Sequence, residues 1–162
     1  MLAGCGYSLV RYEGLMDGAQ RIAIQTLQND SDDPGLEMMM TDALRKEFLR
    51  RGAFELISDP GAADLVISGL VLPVGTAVRS YSSVVLALEY NVKMSIDIFV
   101  QRKDGTPVPI SNSGFSESEI YLASSDVQVG YKNRREALRW IVSLLAARVA
   151  DAIFLEEFEK KS

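Results

Sequence analysis

Fifteen consecutive residues near the middle of the chain alternate between apolar and mostly polar side chains. Apolar residues occupy the even positions from Leu86 to Val100, and mostly polar or small residues occupy the odd positions. Because successive side chains of a β-strand point to opposite faces, this pattern predicts a strand roughly 50 Å long with one dry face and one polar face. The dry face needs an apolar cover, so the pattern also predicts a second layer packed on one side of a sheet.

Two amphipathic segments provide that cover. The first predicted helix has Asp33 as its N-cap, Pro34 at its first position and Gly52 at its end. Its apolar stripe consists of Leu36, Met40, Leu44 and Phe48. The second predicted helix begins at about Asn133, with Glu136 as the partner in a capping box. Its apolar stripe consists of Leu138, Ile141, Leu145, Val149 and Ala152.

Shorter apolar runs predict the remaining strands, and a Gly- and Ser-containing stretch predicts a loop. Strands are expected at 21–27, 54–57, 64–72 and 115–122, with a loop at 73–83 and a hairpin turn at Asp104–Gly105. The predicted fold class is therefore α+β: a two-layer sandwich with two helices packed on one face of a mixed, mostly antiparallel sheet of about four strands.

Composition excludes several classes of function. The chain has 162 residues, no histidine, one cysteine and a net charge of −5. The absence of histidine excludes a Ser-His-Asp triad and an H-E-x-x-H metal site, and the negative charge disfavours nucleic acid as a partner. We therefore expect a protein that is not an enzyme and needs no cofactor or metal. A hydrolase using two carboxylates is the weakest alternative, because Glu117 and Glu119 lie on a serine-rich strand that is expected to be solvated.

The first residues have the form of a bacterial lipobox. Leu2-Ala3-Gly4-Cys5 places a bulky apolar residue and two small residues before the only cysteine, whose thiol would accept the lipid. A lipobox follows a basic and apolar leader, so we expect a signal peptide encoded upstream of Met1. The expected organisation is a lipobox and tether at 1–19, one α+β domain at 20–158 and a frayed tail at 159–162.

Four basic residues are candidate contacts for an anionic group. Arg79 lies in the predicted loop before the long strand, and Lys132, Arg134 and Arg135 surround the predicted start of the last helix. Cations at a helix N-terminus oppose the helix dipole, so a chain that keeps them there is expected to use them on a ligand such as a phosphate.

In order and spacing, a set of short segments resembles the LptE family of lipopolysaccharide-assembly outer-membrane lipoproteins. The segments are Cys5-Gly6-Tyr7-Ser8-Leu9, Arg21-Ile22-Ala23-Ile24, Asn29, Pro34-Gly35-Leu36-Glu37, Ala43-Leu44-Arg45-Lys46-Glu47-Phe48, Ala63-Asp64-Leu65-Val66-Ile67-Ser68-Gly69, Glu89-Tyr90 and Ser125-Asp126.

The resemblance implies a partner, a ligand and a location. It implies a periplasm-facing lipoprotein held in the inner leaflet of the outer membrane by acyl chains, palmitate included, on Cys5. It also implies that the domain plugs the β-barrel LptD, assists its assembly and contacts lipopolysaccharide. The four basic residues Arg79, Lys132, Arg134 and Arg135 are then the candidate contacts with lipopolysaccharide or with the barrel. A second family, the periplasmic lipoproteins of the curli-secretion and penicillin-binding-protein-activator type, shares the early strand, loop, helix and Ala-Asp strand. That alternative would make the protein an activator or a secretion module.

Overall fold

The computed structural model describes residues 18–81, 87–110 and 112–159. Leu86 and the lipobox with Cys5 lie outside these residues. The elements, in chain order, are β1 (Arg21–Ile24), β2 (Gln28–Asn29), α1 (Leu36–Arg51), β3 (Glu55–Leu56), β4 (Leu65–Val71), β5 (Gly75–Tyr81), β6 (Ala87–Arg102), β7 (Pro107–Val108), β8 (Gly114–Leu122) and α2 (Val127–Glu159). The α+β class is confirmed, but the expected count of about four strands is wrong, because the mixed sheet has eight strands within the described residues.

The long strand β6 forms the centre of the sheet, and shorter strands follow one another along its two edges. β4 pairs with residues 96–102 of β6 and β5 with residues 87–93, both antiparallel and on one edge. β7 and β8 pair antiparallel with the other edge. β1 and β2 lie parallel to β4, and β3 lies parallel to β1. The strand count exceeds the prediction because residues 75–81, predicted as a loop, form β5, and because the two-residue strands β2 and β7 were not predicted.

The sheet has two differently supported ends. The sheet base consists of β3, β1, β4, β7 and residues 96–102 of β6. The sheet tip consists of β5, residues 87–93 of β6 and residues 119–122 of β8, which are three strands among the residues that the structure describes. A 16-residue β6 reaches about 50 Å, and α2 with 33 residues is about as long, so α2 accompanies the sheet from tip to base.

The core lies between one sheet face and the two helices. The even-numbered side chains of β6 from Val92 to Val100 are buried, as the alternation predicted, and they pack with the apolar stripes of α1 and α2. Tyr90 is only half-buried and stacks on Tyr121 of β8, with ring centroids 5.4 Å apart. Gly69 lets β4 approach β6 closely, because a Cβ there would lie 2.5 Å from the carbonyl oxygen of Asp97.

The opposite sheet face is mostly polar. Ser95 and Ser116 form a hydrogen bond across it at 3.1 Å, and Lys93 and Phe99 are exposed. A small second cluster of Ala23, Ala63 and Val66 covers this face at the sheet base only, near a single 3₁₀ turn at Pro60–Ala62.

The loop predicted at 73–83 is wrong over most of its length. Residues 75–81 form β5, whose side chains are almost all exposed and whose pairing with β6 shifts register around Ser80. Alternation of apolar and polar residues arises when one face of a strand is buried. Because β5 has no buried face, its sequence has no period-two pattern. Arg79 therefore lies on a strand at the sheet tip and not in a loop.

Both predicted helix starts need correction. α1 begins after Gly35, whose φ of +86° is left-handed, and no side chain caps the helix there. Asp33 is not the N-cap because its carboxylate binds Arg134. Gly52 ends α1 in a left-handed conformation and donates to the carbonyl of Phe48, as expected for a C-terminal glycine.

The second helix begins six residues earlier than predicted. α2 starts at Val127, and Asp126 accepts hydrogen bonds from the amides of Gln128 at 2.8 Å and Val129 at 3.4 Å. The prediction missed this turn because Val127, Val129 and Gly130 have low helix propensity. Lys132, Arg134 and Arg135 consequently lie beyond the first turn, and the argument that they oppose the helix dipole is wrong.

Candidate functional site

The sheet tip carries a group of exposed apolar side chains. Tyr81 ends β5, Leu122 ends β8, and Val127 and Tyr131 lie in the first turns of α2; each is more than half exposed. Exposed apolar residues scattered singly are ordinary, but these four come from three elements that meet at one end of the molecule. The tip therefore offers apolar surface suited to a partner or to an amphiphile.

Arg79 adds a cation to this surface. It lies on β5, and its side chain is 56% exposed. Its closest acidic group is Glu89, with Nε and the carboxylate oxygen 4.0 Å apart, and that carboxylate also accepts from Ser80 at 3.4 Å. A loose, exposed pair of this kind contributes little to stability, so Arg79 is available for an external anion.

Lys132 and Arg135 provide two more weakly engaged cations on α2. Lys132 is 73% exposed and lies 3.9 Å from Glu136, one helical turn further along. Arg135 is exposed and contacts the hydroxyl of Tyr131 at 3.4 Å. β5 pairs with one edge of β6, and β8, against which α2 packs, pairs with the other, so the elements that carry Arg79 and Lys132 lie on opposite sides of β6.

Arg134 has a different position from its neighbours. Its guanidinium makes two hydrogen bonds to the carboxylate of Asp33, and both side chains are three-quarters buried. Hydrogen bonding to Asp33 is the main cause of the raised pKa of Arg134. This pair connects the loop before α1 to α2, so the structure separates Arg134 from the three exposed cations.

The sequence did not single out the apolar residues of the tip. Tyr81 lay in a predicted loop, and Val127 and Tyr131 lay before the predicted helix start. The available signal was a recurrence of large apolar residues in segments that were expected to be irregular and exposed. Such a recurrence needs an explanation, because loops are normally rich in small and polar residues.

Two kinds of site are absent from the described part of the chain. Within residues 18–81, 87–110 and 112–159, no three acidic, histidine or cysteine side chains are grouped so that they would hold a metal ion. None of the helices described there has the length and hydropathy needed to cross a membrane.

The fold resembles those of solved bacterial lipoproteins. Rare lipoprotein B from Shewanella oneidensis aligns with a TM-score of 0.63 at 10% identity, covering 88% of this chain and 100% of that one. Lipoprotein B from Nitrosomonas europaea aligns with a TM-score of 0.56 at 10% identity, over 91% and 92% of the two chains. A minor lipoprotein from Acinetobacter baumannii gives 0.55 at 10% identity, over 85% and 94%. At these identities the likeness concerns the fold alone.

Sequence comparison assigns the family. Among curated proteins no relative of this chain was found. The family model described as "LptE: Lipopolysaccharide-assembly", in contrast, matches residues 19–153, which is most of the chain and includes α1, the eight strands of the described residues and most of α2. The chain therefore belongs to the LptE family of lipopolysaccharide-assembly proteins.

Proposed function

We propose that this protein acts by binding: it is anchored at Cys5 to the inner leaflet of the outer membrane, faces the periplasm, and occupies the barrel LptD. There it contacts lipopolysaccharide during transport to the cell surface. Family membership supports the pathway, and the lipobox supports the anchor. The alternative of an activator or curli-secretion module has no comparable family match in its favour.

The observation that carries the proposal is the combination of charge and apolar surface at the sheet tip. Arg79, Lys132 and Arg135 are exposed cations with weak internal partners, and Tyr81 and Leu122 are exposed apolar neighbours on the adjoining strands. Lipopolysaccharide is an amphiphile with phosphate groups and acyl chains, so it needs both kinds of contact. Arg134, already bound to Asp33, supports the tip by holding α2 to the loop before α1.

The anchor has a direct test. Expression with the natural upstream region, followed by intact-mass measurement of the membrane-extracted protein, should give a chain that begins at Cys5 and carries acyl chains. Because one acyl chain gives only marginal membrane binding, more than one is expected. A protein without acyl chains would contradict the anchor and leave the binding proposal untouched.

The tip is tested by reversing its charges. Arg79→Glu and Lys132→Glu should leave the free energy of unfolding within about 0.5 kcal/mol, because both residues are exposed and loosely paired. Each should weaken binding in a lipopolysaccharide titration and in a pull-down with LptD. The loss should be larger at low salt than at high salt, because exposed charges are screened.

Lys46→Glu is the matched control, since Lys46 is an exposed cation on α1 outside the tip. It makes the same change in net charge. If Lys46→Glu weakens binding as much as the tip variants do, the interaction depends on total charge and not on the tip. Unchanged binding by both tip variants would remove Arg79 and Lys132 from the site while leaving the family assignment intact.

A further inference from the structure

A groove lies between the edge of β8 and α2, on the flank of the molecule. Its walls are apolar: Ile120 and Leu122 come from β8, and Ala137 and Trp140 come from α2. Trp140 is the only tryptophan of the chain and is 57% exposed. The charged side chains that line the groove are Glu119 and Glu136.

Every second residue of β8 directs its backbone N–H and C=O groups away from β6, toward this groove. The amide of Ile98 donates to the carbonyl of Ser113, so the even residues of β6 bond toward the β7 and β8 side. In the antiparallel register, Glu119 pairs with Val92 and Tyr121 with Tyr90. Glu119 and Tyr121 therefore bond to β6, whereas Ser116, Ser118, Ile120 and Leu122 turn their backbone groups to the open edge.

Side chains of α2 cover both ends of this edge. Arg148 donates to the carbonyl of Ser116 at 3.1 Å and also binds the carboxylate of Glu117. Asn133 donates to the carbonyl of Leu122 at 3.0 Å. Asn133 and Arg148 are 15 residues apart, or roughly 22 Å along the helix, and Trp140 lies between them. The outward backbone groups of Ser118 therefore lie between two carbonyls that are already bonded to α2, and they are the part of this edge to which an extended segment would pair.

The charges beside the uncovered part of the β8 edge favour a cationic ligand. Glu119 and Glu136 supply two carboxylates beside the exposed indole face, and no arginine or lysine from the described residues lines the groove. The cation closest to Glu136 is Lys132, whose Nζ lies 3.9 Å from that carboxylate and is largely exposed to solvent. Within the described residues, the carboxylate of Glu119 accepts a hydrogen bond only from the amide of Ile120, at 3.0 Å. An arginine side chain suits this setting, because its guanidinium stacks on an indole and binds carboxylates.

We propose that this groove binds an extended, arginine-bearing segment of a protein partner. The segment would pair with the β8 edge at Ser118, place its aliphatic side chains against Ile120 and Leu122, and insert an arginine between Trp140 and the two carboxylates. The groove adjoins the sheet tip and shares Leu122 with it, but the proposal rests on the β8 edge, Trp140 and the two carboxylates and not on the cations proposed to contact lipopolysaccharide. Its charge has the opposite sign and would repel phosphate.

The probe for the test is a capped, fluorescein-labelled pentapeptide of alternating valine and arginine. Its binding to the full chain is measured by fluorescence anisotropy, and emission from Trp140 with the unlabelled peptide reports occupancy of the groove itself. Saturable binding with a matching change in emission is expected. The double variant Glu119→Gln, Glu136→Gln should weaken binding roughly tenfold, and Trp140→Leu roughly threefold. Asp42→Asn, an exposed carboxylate on α1, should have no effect.

Several outcomes would overturn the proposal. These are absence of saturable binding at millimolar peptide, equal binding of a valine–glutamate peptide, or an Asp42→Asn variant that is as impaired as the double variant. A change in Trp140 emission with protein concentration alone, without peptide, would identify a second copy of the chain as the occupant. Circular dichroism of each variant separates lost binding from lost folding.

Discussion

The sheet base and the sheet tip share β6 but are held in different ways. At the base, Ile96, Ile98 and Val100 are buried in the core shared with the helices, and β1 and β3 extend the sheet beyond β4. At the tip, the described strands beside β6 are β5 and β8, and Tyr90 is half-buried. The base buries the apolar side chains of its helix-facing side and exposes Phe99 on the other face, whereas the tip leaves Tyr81 and Leu122 exposed. The difference indicates that the base provides stability and that the tip has been left available for contact.

The largest expected effect compares one core position from each end. Ile96→Ala at the base should lower the free energy of unfolding by about 3–4 kcal/mol, because a fully buried side chain leaves a cavity. Tyr90→Ala at the tip should cost only about 1–2 kcal/mol, since it loses a stacked pair and partial burial. Urea denaturation of the two variants measures both values. Equal losses would mean that the tip is as firmly packed as the base.

A smaller effect is expected at the pair that holds α2 to the loop before α1. Arg134→Met should cost about 1.5–3 kcal/mol, because the carboxylate of Asp33, which is three-quarters buried, loses both charged hydrogen bonds. Arg135→Met, at the next position, is the control and should stay within about 0.5 kcal/mol. Thermal or urea unfolding of the two variants measures the loss of stability in each. Similar losses would show that Arg134 has no special supporting role.

The smallest effect concerns acid sensitivity at the base. Asp64 accepts hydrogen bonds from the side chain and backbone of Arg21 and from the amide of Gln20, which lower its pKa to about 2. Because this value lies below the unfolded value of about 3.9, the stabilisation is present above that pH and is lost as the pH falls toward 2. Asp64→Asn should flatten the fall in urea midpoint over this interval. An unchanged pH profile would contradict the assigned role.

Much of the base followed from the sequence because burial leaves a periodic signal. The alternation from Val92 to Val100 predicted which face of β6 is dry, and the stripe from Leu36 to Phe48 predicted the buried side of α1. The turn at Asp104–Gly105 also forms as expected, with the amide of Gly105 bonded to Arg102. In each case the residue pattern and the tertiary environment favour the same local structure.

The structure of the tip was less predictable from the sequence, because backbone pairing and tertiary contacts determine its conformation. β5 has no buried face, so its sequence resembles a loop. The first turns of α2 contain valine and glycine and are fixed by the Asp126 cap and by Asn133 bonding to Leu122. The sequence nominated Arg79, Lys132, Arg134 and Arg135 together as candidate contacts, and the tertiary structure separates Arg134, which is bound to Asp33, from the other three. Their role toward lipopolysaccharide stays a prediction.

The shared strand β6 also determines how this chain is able to misfold. A slip of one residue in its pairing would turn the buried side chains of Val92, Met94, Ile96, Ile98 and Val100 outward and bring Lys93 and Asp97 into the core. It would also replace Gly69 by a residue with a side chain at the point where the backbone of Asp97 approaches too closely to admit a Cβ. Because β6 runs through both ends of the sheet, such an error would affect base and tip together. The register of β6 therefore sets at once which side chains are buried at both ends of the sheet.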